Sequence, residues 1–293
     1  DDLLILITVS NRGPDAARLD LLPTLWFRNT WSWSGGPRPS LALSHEQSVT
    51  ARHEDLGSFV LEAAPGPSGA PWEPLFTEND TNRERLWGVA NETPFVKDAF
   101  HERVVHGRTD AVNPRRVGTK AALWRRLDIP PGESVEVRLR LRCAHTPRHG
   151  LGEAFTRTMD QRRREADEFY ASRGHDTLGE QERRVARQSA AGLLWSKQFY
   201  HYDIEPWLDG DAAPPRPAPQ RLSGRNAQWR HLNNCDIISM PDKWEYPWYA
   251  AWDLAFQMLP MAQVDPGFAK DQLVLFLREW YMHPNGQIPA YEF

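Results

Sequence analysis

Cysteine is scarce: Cys143 and Cys235 are the only two in 293 residues, and they lie far apart without metal-ligand spacing. That pattern indicates neither a disulfide framework nor a zinc site, and two buried thiols in a reducing compartment are expected. An excess of either charge is also missing. A formal charge of −4 and a pI near 6.2 give no reason to expect nucleic acid or an anionic membrane as a partner. No apolar run approaches the roughly 20 residues of a membrane span. The N-terminus has neither an initiator Met nor a signal peptide. It opens directly on an apolar strand, as an internal piece of a larger protein would. Tyrosine is absent before Tyr170, whereas all seven lie from there onward, so the two halves differ in kind.

What the chain does have is tryptophan, thirteen of them. Trp offers large stiff apolar faces that fill cores and also stack on sugar C–H surfaces. At this length the chain can hold one large or two ordinary domains, each with its own core. Residues 1–145 read as β structure. Leu3 to Val9 is an apolar strand ended by the turn Asn11-Arg-Gly-Pro14. Ser134 to Cys143 alternates strictly, Val135, Val137, Leu139 and Leu141 on one face and Glu136, Arg138, Arg140 and Arg142 on the other. That is a half-buried antiparallel strand with a solvated arginine row. Leu86 to Ala90 and Phe100 to Val105 read as further short strands. Aligned sheets in a sandwich fit this half best.

The pattern changes near Thr146. Residues 146–178 form a charged, solvent-facing linker helix. Residues 179–293 read as helices, the first running from Gln181 to Tyr200. The last begins at Asp265, a favoured cap, with Pro266 in the first helical position. Leu273, Phe276, Leu277, Trp280 and Tyr281 follow at helical spacing as one buried stripe. The fold class is therefore α+β in two domains, a β-sandwich followed by paired helices.

The densest stretch is Met240-Pro-Asp-Lys-Trp-Glu-Tyr-Pro-Trp-Tyr-Ala-Ala-Trp-Asp253, which leads into the apolar run Leu254 to Leu259. A carboxylate in such company costs several kcal/mol unless it is paired or neutralised. Asp253 suits a general acid, and it equally suits an N-cap for a helix starting at Leu254. Trp244, Trp248, Tyr249 and Trp252 are stacking walls for a sugar ring or members of a core. Lys243 and Glu245 hold hydroxyls or pair with each other. Arg230 and Asn234 are hydroxyl-binding candidates, and His231 is read as structural.

Asp242 to Asp253 resembles the segment around the catalytic acid of glycoside hydrolase family 63. The likeness continues through Val264-Asp-Pro-Gly-Phe268, Leu277 to Gln287 and Ile288-Pro-Ala-Tyr291, and upstream in Leu22-Pro-Thr-Leu-Trp-Phe-Arg-Asn-Thr-Trp-Ser-Trp33. The resemblance implies an (α/α)6 catalytic barrel of which residues 179–293 are the first part. It implies a cytoplasmic inverting glycosidase of the bacterial α-glucosidase or glycosylglycerate hydrolase type. Its substrate is a small carbohydrate, and no cofactor or metal is needed. Asp253 matches the acid position. Arg230 to Asn234 resembles the loop at the barrel mouth, and Gln287 falls on the same face. The family's base lies beyond Phe293, with Glu292 a substrate-loop or structural carboxylate in preference to a substitute base. Inverting hydrolysis separates the two carboxyl groups by roughly 6.5–9.5 Å to admit water. The alternatives are a non-catalytic carbohydrate-binding relative and a phosphorylase on a similar barrel, the latter requiring a basic phosphate pocket.

Overall fold

The computed structural model describes residues 2–45, 47–66, 69, 71–147, 149–174, 177–210, 216–224, 227–245 and 248–289. The chain divides into two compact units, Asp1–Gln161 and Arg162–Phe293. The architecture is mixed, with antiparallel sheets and helices.

The first unit opens with β1 (Asp2–Ser10), β2 (Ala17–Leu21), β3 (Thr24–Trp26) and a short turn of helix, α1 (Trp31–Ser34). The strands β4 (Ser40–His45), β5 (Ser48–His53), β6 (Gly57–Ala63) and β7 (Glu73–Thr77) follow. Next come α2 (Arg83–Trp87), α3 (Ala99–Val104), β8 (Val117–Gly118), β9 (Lys120–Ile129) and β10 (Ser134–Cys143). One sheet has six strands in the order β1-β10-β6-β5-β4-β8. In the other, β2 and β3 pair successively along β9, and β7 also pairs with β9. Period two explains how β9 serves two cores. Ala121 and Leu123 join Leu41, Val49, Leu61, Phe76 and Leu139 between the sheets. Ala122 and Trp124 face the other way, against Leu75 and Phe100. Gly118 is required where β8 meets β7, because a Cβ there would lie 2.3 Å from the Thr77 carbonyl oxygen.

Three expectations for this half need correction. The arginine row of β10 is not a solvated face. Arg140 is only 3% exposed, pairs with Asp2 and donates to the His149 carbonyl at 2.7 Å. Arg142 pairs with Glu62 at 3.3 Å. Residues 86–90 and 100–105 are not strands either. Asn82 caps α2 by accepting from the Arg85 N–H, and Gly88, at φ 66°, closes it. The helix α3 then lays Phe100 over the back of β9.

A long helix, α4 (Glu153–Ala171), crosses the division between the units. The second unit continues with α5 (Glu180–Trp195), β11 (Lys197–Asp203), α6 (Ile204–Asp209) and β12 (Asn233–Ser239). It ends on α7 (Ala251–Val264) and α8 (Pro266–Leu275). The expected helix from Gln181 to Tyr200 stops at Trp195. The aromatic residues after it form β11, which pairs with β12 in full antiparallel register from Lys197↔Ser239 to Asp203↔Asn233. The β-branched and aromatic side chains of both segments favour this pairing. One core unites the ribbon with the helices: Ile238, Met240, Leu254, Met258, Met261 and Tyr281 are almost wholly buried. Polar ties reinforce it. Ser196 and Ser239 share a 2.6 Å hydrogen bond, and Gln257 donates to both at 3.3 Å. Gln272 on α8 donates to the Ile237 carbonyl at 2.9 Å.

The last helix is shorter than its periodicity suggests. Asp265 caps it as expected, accepting from the Phe268 N–H at 3.1 Å, but α8 ends at Leu275 and residues 279–281 form a separate turn. Only Tyr281 of the stripe is fully buried, whereas Leu277 is 77% exposed. The thiols also differ from expectation: both are free, but Cys235 is exposed. No helix among the described residues is long and apolar enough to cross a membrane.

Candidate functional site

Asp253 lies in the first turn of α7, not at its cap. The helix begins at Ala251, preceded by an extended Ala250 that offers no side-chain cap. Asp253 therefore has no capping role. Its Oδ2 is buried and accepts no hydrogen bond from any described residue. No ion pair with Arg or Lys holds it among the described residues. A buried carboxyl oxygen without a partner is uncommon in folded proteins, where more than about 90% of such groups are satisfied. Such an oxygen is open to a hydrogen bond from a water or a ligand.

The start of α7 is braced by the chain's last described turn. The Ala251 N–H donates to the Pro289 carbonyl at 2.9 Å, and Ile288 packs into the core beside Leu254. This brings the segment that carries Gln287 to the end of α7 that carries Asp253. Gln287 itself is exposed. Its N–H donates to Asn285 Oδ1 at 2.9 Å, and its carbonyl accepts from the His283 N–H at 2.8 Å. The loop before β12 reaches the same segment. His231 Nε2 lies 2.8 Å from the Met282 carbonyl, and Trp229 meets His283 edge-on at 5.0 Å.

The aromatic residues divide between core and surface. Tyr249 is 2% exposed, edge-on to Tyr281 at 4.7 Å, and belongs to the core rather than to a wall. Trp248 is half-buried against the same cluster. Trp252 is 59% exposed and leans edge-on against Phe256 at 5.8 Å, while Trp244 is 94% exposed. Trp244 and Trp252 are thus the stacking candidates with open faces, and Trp252 is the one next to Asp253 in sequence.

The polar candidates are scattered. Lys243 and Glu245 do not pair. Lys243 Nζ donates to the Trp195 carbonyl at the end of α5, at 2.8 Å. The Glu245 N–H closes a turn on Asp242 Oδ1 at 3.1 Å. Two such backbone donors, from Trp244 and Glu245, hold the Asp242 carboxyl below its usual pKa. Arg230 is engaged by Asp209 and, at 4.0 Å, by Glu205. The Asp209 hydrogen bond raises its pKa further. Asn234 is 2% exposed on β12, and its Oδ1 has no partner among the described residues. Glu292 lies outside the described residues.

Sequence reasoning passed over the pair that anchors this end of the unit. Tyr281 donates to Asp236 Oδ2 at 2.8 Å, and burial pushes the phenols of Tyr281 and Tyr249 well above their ordinary range. The period-two pattern of Asn233 to Ser239 was the available signal. Among the described residues no group of three His, Cys, Asp or Glu is placed to hold a metal ion.

No protein-family model matches the chain. It is 41% identical over 326 aligned positions to YMR196W of Saccharomyces cerevisiae, a protein described as uncharacterized. The alignment takes in 99% of this chain and 30% of the yeast protein. The chain thus spans about a third of the length of that curated relative.

Proposed function

We propose that this chain is part of an inverting glycoside hydrolase of the family 63 type, acting on α-glucosides, with Asp253 as general acid. The observation that carries the proposal is the unpartnered buried carboxyl oxygen of Asp253 in the first turn of α7, where the neighbouring residue in sequence is the exposed Trp252. A general acid must lie within hydrogen-bond reach of the leaving oxygen, and a carboxyl oxygen with no protein partner among the described residues is left to meet one. Trp252 supplies a face for the sugar ring, and the Gln287 segment supplies hydroxyl-binding groups at the same end of α7. The general base is assigned to sequence outside these 293 residues.

In this reading the sheets of the first unit form a β-sandwich, and α5, α7 and α8 belong to an (α/α)6 barrel. The free thiols of Cys143 and Cys235 suit a cytoplasmic enzyme. The test is a screen of the full-length protein against α-glucosides, including glucosylglycerate, with the product anomer followed by NMR from the first turnover. Release of β-glucose supports the proposal. Release of α-glucose refutes the inverting mechanism, and phosphate-dependent turnover to glucose 1-phosphate makes the protein a phosphorylase.

A further inference from the structure

A polar-aromatic cavity lies within the first unit. It encloses about 390 Å³ between the loop carrying α1 and the α2 segment, lined by Trp31, Trp87, Arg38, Arg83, Asp80 and Glu92 among others. That volume falls in the roughly 300–1,000 Å³ range of small-molecule sites. Nothing in the proposed hydrolytic chemistry uses it.

The walls are held in place by side-chain hydrogen bonds. Asn29 donates to Asp80 Oδ1 at 2.6 Å and accepts from the Ser32 N–H at 3.2 Å, fixing Asp80 to the start of α1. Asn91 accepts from the Arg83 N–H at 2.8 Å and donates to the cap residue Asn82 at 3.0 Å, fixing α2. The cavity lining is therefore preorganised, which lowers the ordering cost of binding.

Its chemistry selects one ligand class. Two arginines and two carboxylates face the cavity, so the charges cancel and an ionic ligand meets repulsion as well as attraction. Arg38 lies 3.5 Å from Asp80 and hydrogen-bonds Glu92 at 3.4 Å, and each carboxylate has further lone pairs with which to accept from ligand hydroxyls. Trp87, 65% exposed, offers an open aromatic face. Trp31, 7% exposed, forms the inner wall, and its Nε1–H has no hydrogen-bond partner among the described residues. A buried indole donor normally finds one. We infer that this cavity binds a neutral sugar, one ring of a mono- or disaccharide, stacked on Trp87 and hydrogen-bonded by Asp80, Glu92 and Arg38. The site is non-catalytic and independent of the Asp253 reading.

The test is calorimetric titration of the intact protein, carrying Asp253→Asn to stop turnover, with glucose, mannose, galactose, maltose and trehalose. At least one sugar is expected to bind, and Trp87→Ala is expected to weaken it at least about tenfold, a loss of about 1.4 kcal/mol. Trp31→Phe keeps the ring and removes the donor, and a severalfold loss is expected. With Trp252→Ala added to silence the α7 site, one binding event is expected to remain and to depend on Trp87. Trp87 is exposed, so its variant tests the site without risk to the core. No binding, binding unmoved by Trp87→Ala, or binding abolished by Trp252→Ala alone overturns the inference. Binding confined to glucuronate or glucose 6-phosphate overturns the neutral-ligand assignment.

Discussion

Tyr281 and Tyr249 touch each other in one core, and the same deletion in each is expected to have opposite consequences. Tyr281 is wholly buried and donates to Asp236 Oδ2 at 2.8 Å. Tyr281→Phe removes that donor and leaves a half-buried carboxylate short of one bond. Hydrogen bonds to charged groups contribute about 1.5–3 kcal/mol net, so a loss of that size is expected. The Tyr249 hydroxyl is equally buried but has no partner among the described residues. Tyr249→Phe removes a polar atom that folding strips of water without replacement. It is therefore expected to be neutral or to stabilise by up to about 1 kcal/mol. Both variants keep the edge-to-face ring contact at 4.7 Å, so packing cancels in the comparison. Urea unfolding followed by circular dichroism, at equal m-values, reads the difference as a separation of midpoints. Equal losses in the two variants would refute the reasoning and show that the ring edges, not the hydroxyls, carry the effect.

Three other outcomes follow from the same structure. Burial raises the Tyr200 phenol from 10.0 to about 12, and a group that ionises later when folded stabilises below its unfolded pKa. That contribution is lost as pH rises from 10 to 12, so absorbance titration near 295 nm should show phenolate appearing together with unfolding in that window. Asp265 accepts from the Phe268 N–H and from Lys197 Nζ at 2.6 Å, so Asp265→Ala should cost about 0.5–2 kcal/mol as a lost cap. The Lys197 hydrogen bond also holds the Asp265 pKa below 3.8. Its stabilisation is complete above that value and fades as pH falls through the lower, folded value. An acid-unfolding curve that Asp265→Ala leaves unmoved would contradict this. Gly118→Ala would drive a Cβ to 2.3 Å from the Thr77 carbonyl oxygen. A loss of at least about 1–3 kcal/mol in thermal unfolding is expected, because backbone is what must move.

Much of the strand half was legible because the apolar run of β1 and the period two of β10 are explicit. What the alternation could not convey was the fate of the second face. The arginines of β10 looked solvated, yet Asp2, Glu62 and the carbonyls after Cys143 enclose them. Short helices escaped notice because α2 and α3, with two and three apolar residues, are too short to show a helical stripe. Their only signals were caps, Asn82 and Gly88 in the clearest case. The helix assigned to Gln181 through Tyr200 ran too far because charged and small residues give way to aromatic ones without a proline or glycine to mark the change. In the same way the stripe after Leu273 kept helical spacing while the backbone left the helix at Leu275. Of the candidate site, the position of Asp253 near the start of a helix was legible from the apolar run Leu254 to Leu259 that follows it. That Tyr249 is core and Trp252 open was not, since sequence spacing does not say which ring a neighbour such as Tyr281 covers.

The measurement closest to the central claim compares Asp253→Asn with the unaltered full-length enzyme on two kinds of α-glucoside. The substitution keeps size and hydrogen-bonding shape but removes the transferable proton. A sugar or glycerate leaving group needs that proton, and general acid catalysis is worth about 10²–10⁴-fold, so a loss of at least that size in kcat is expected there. A nitrophenyl glucoside, whose leaving group departs with little help, should lose far less. Binding measured by calorimetry should survive, because Trp252 and its open face are untouched. Equal losses on both substrates, or no loss on either, would contradict the assignment of Asp253 as the general acid.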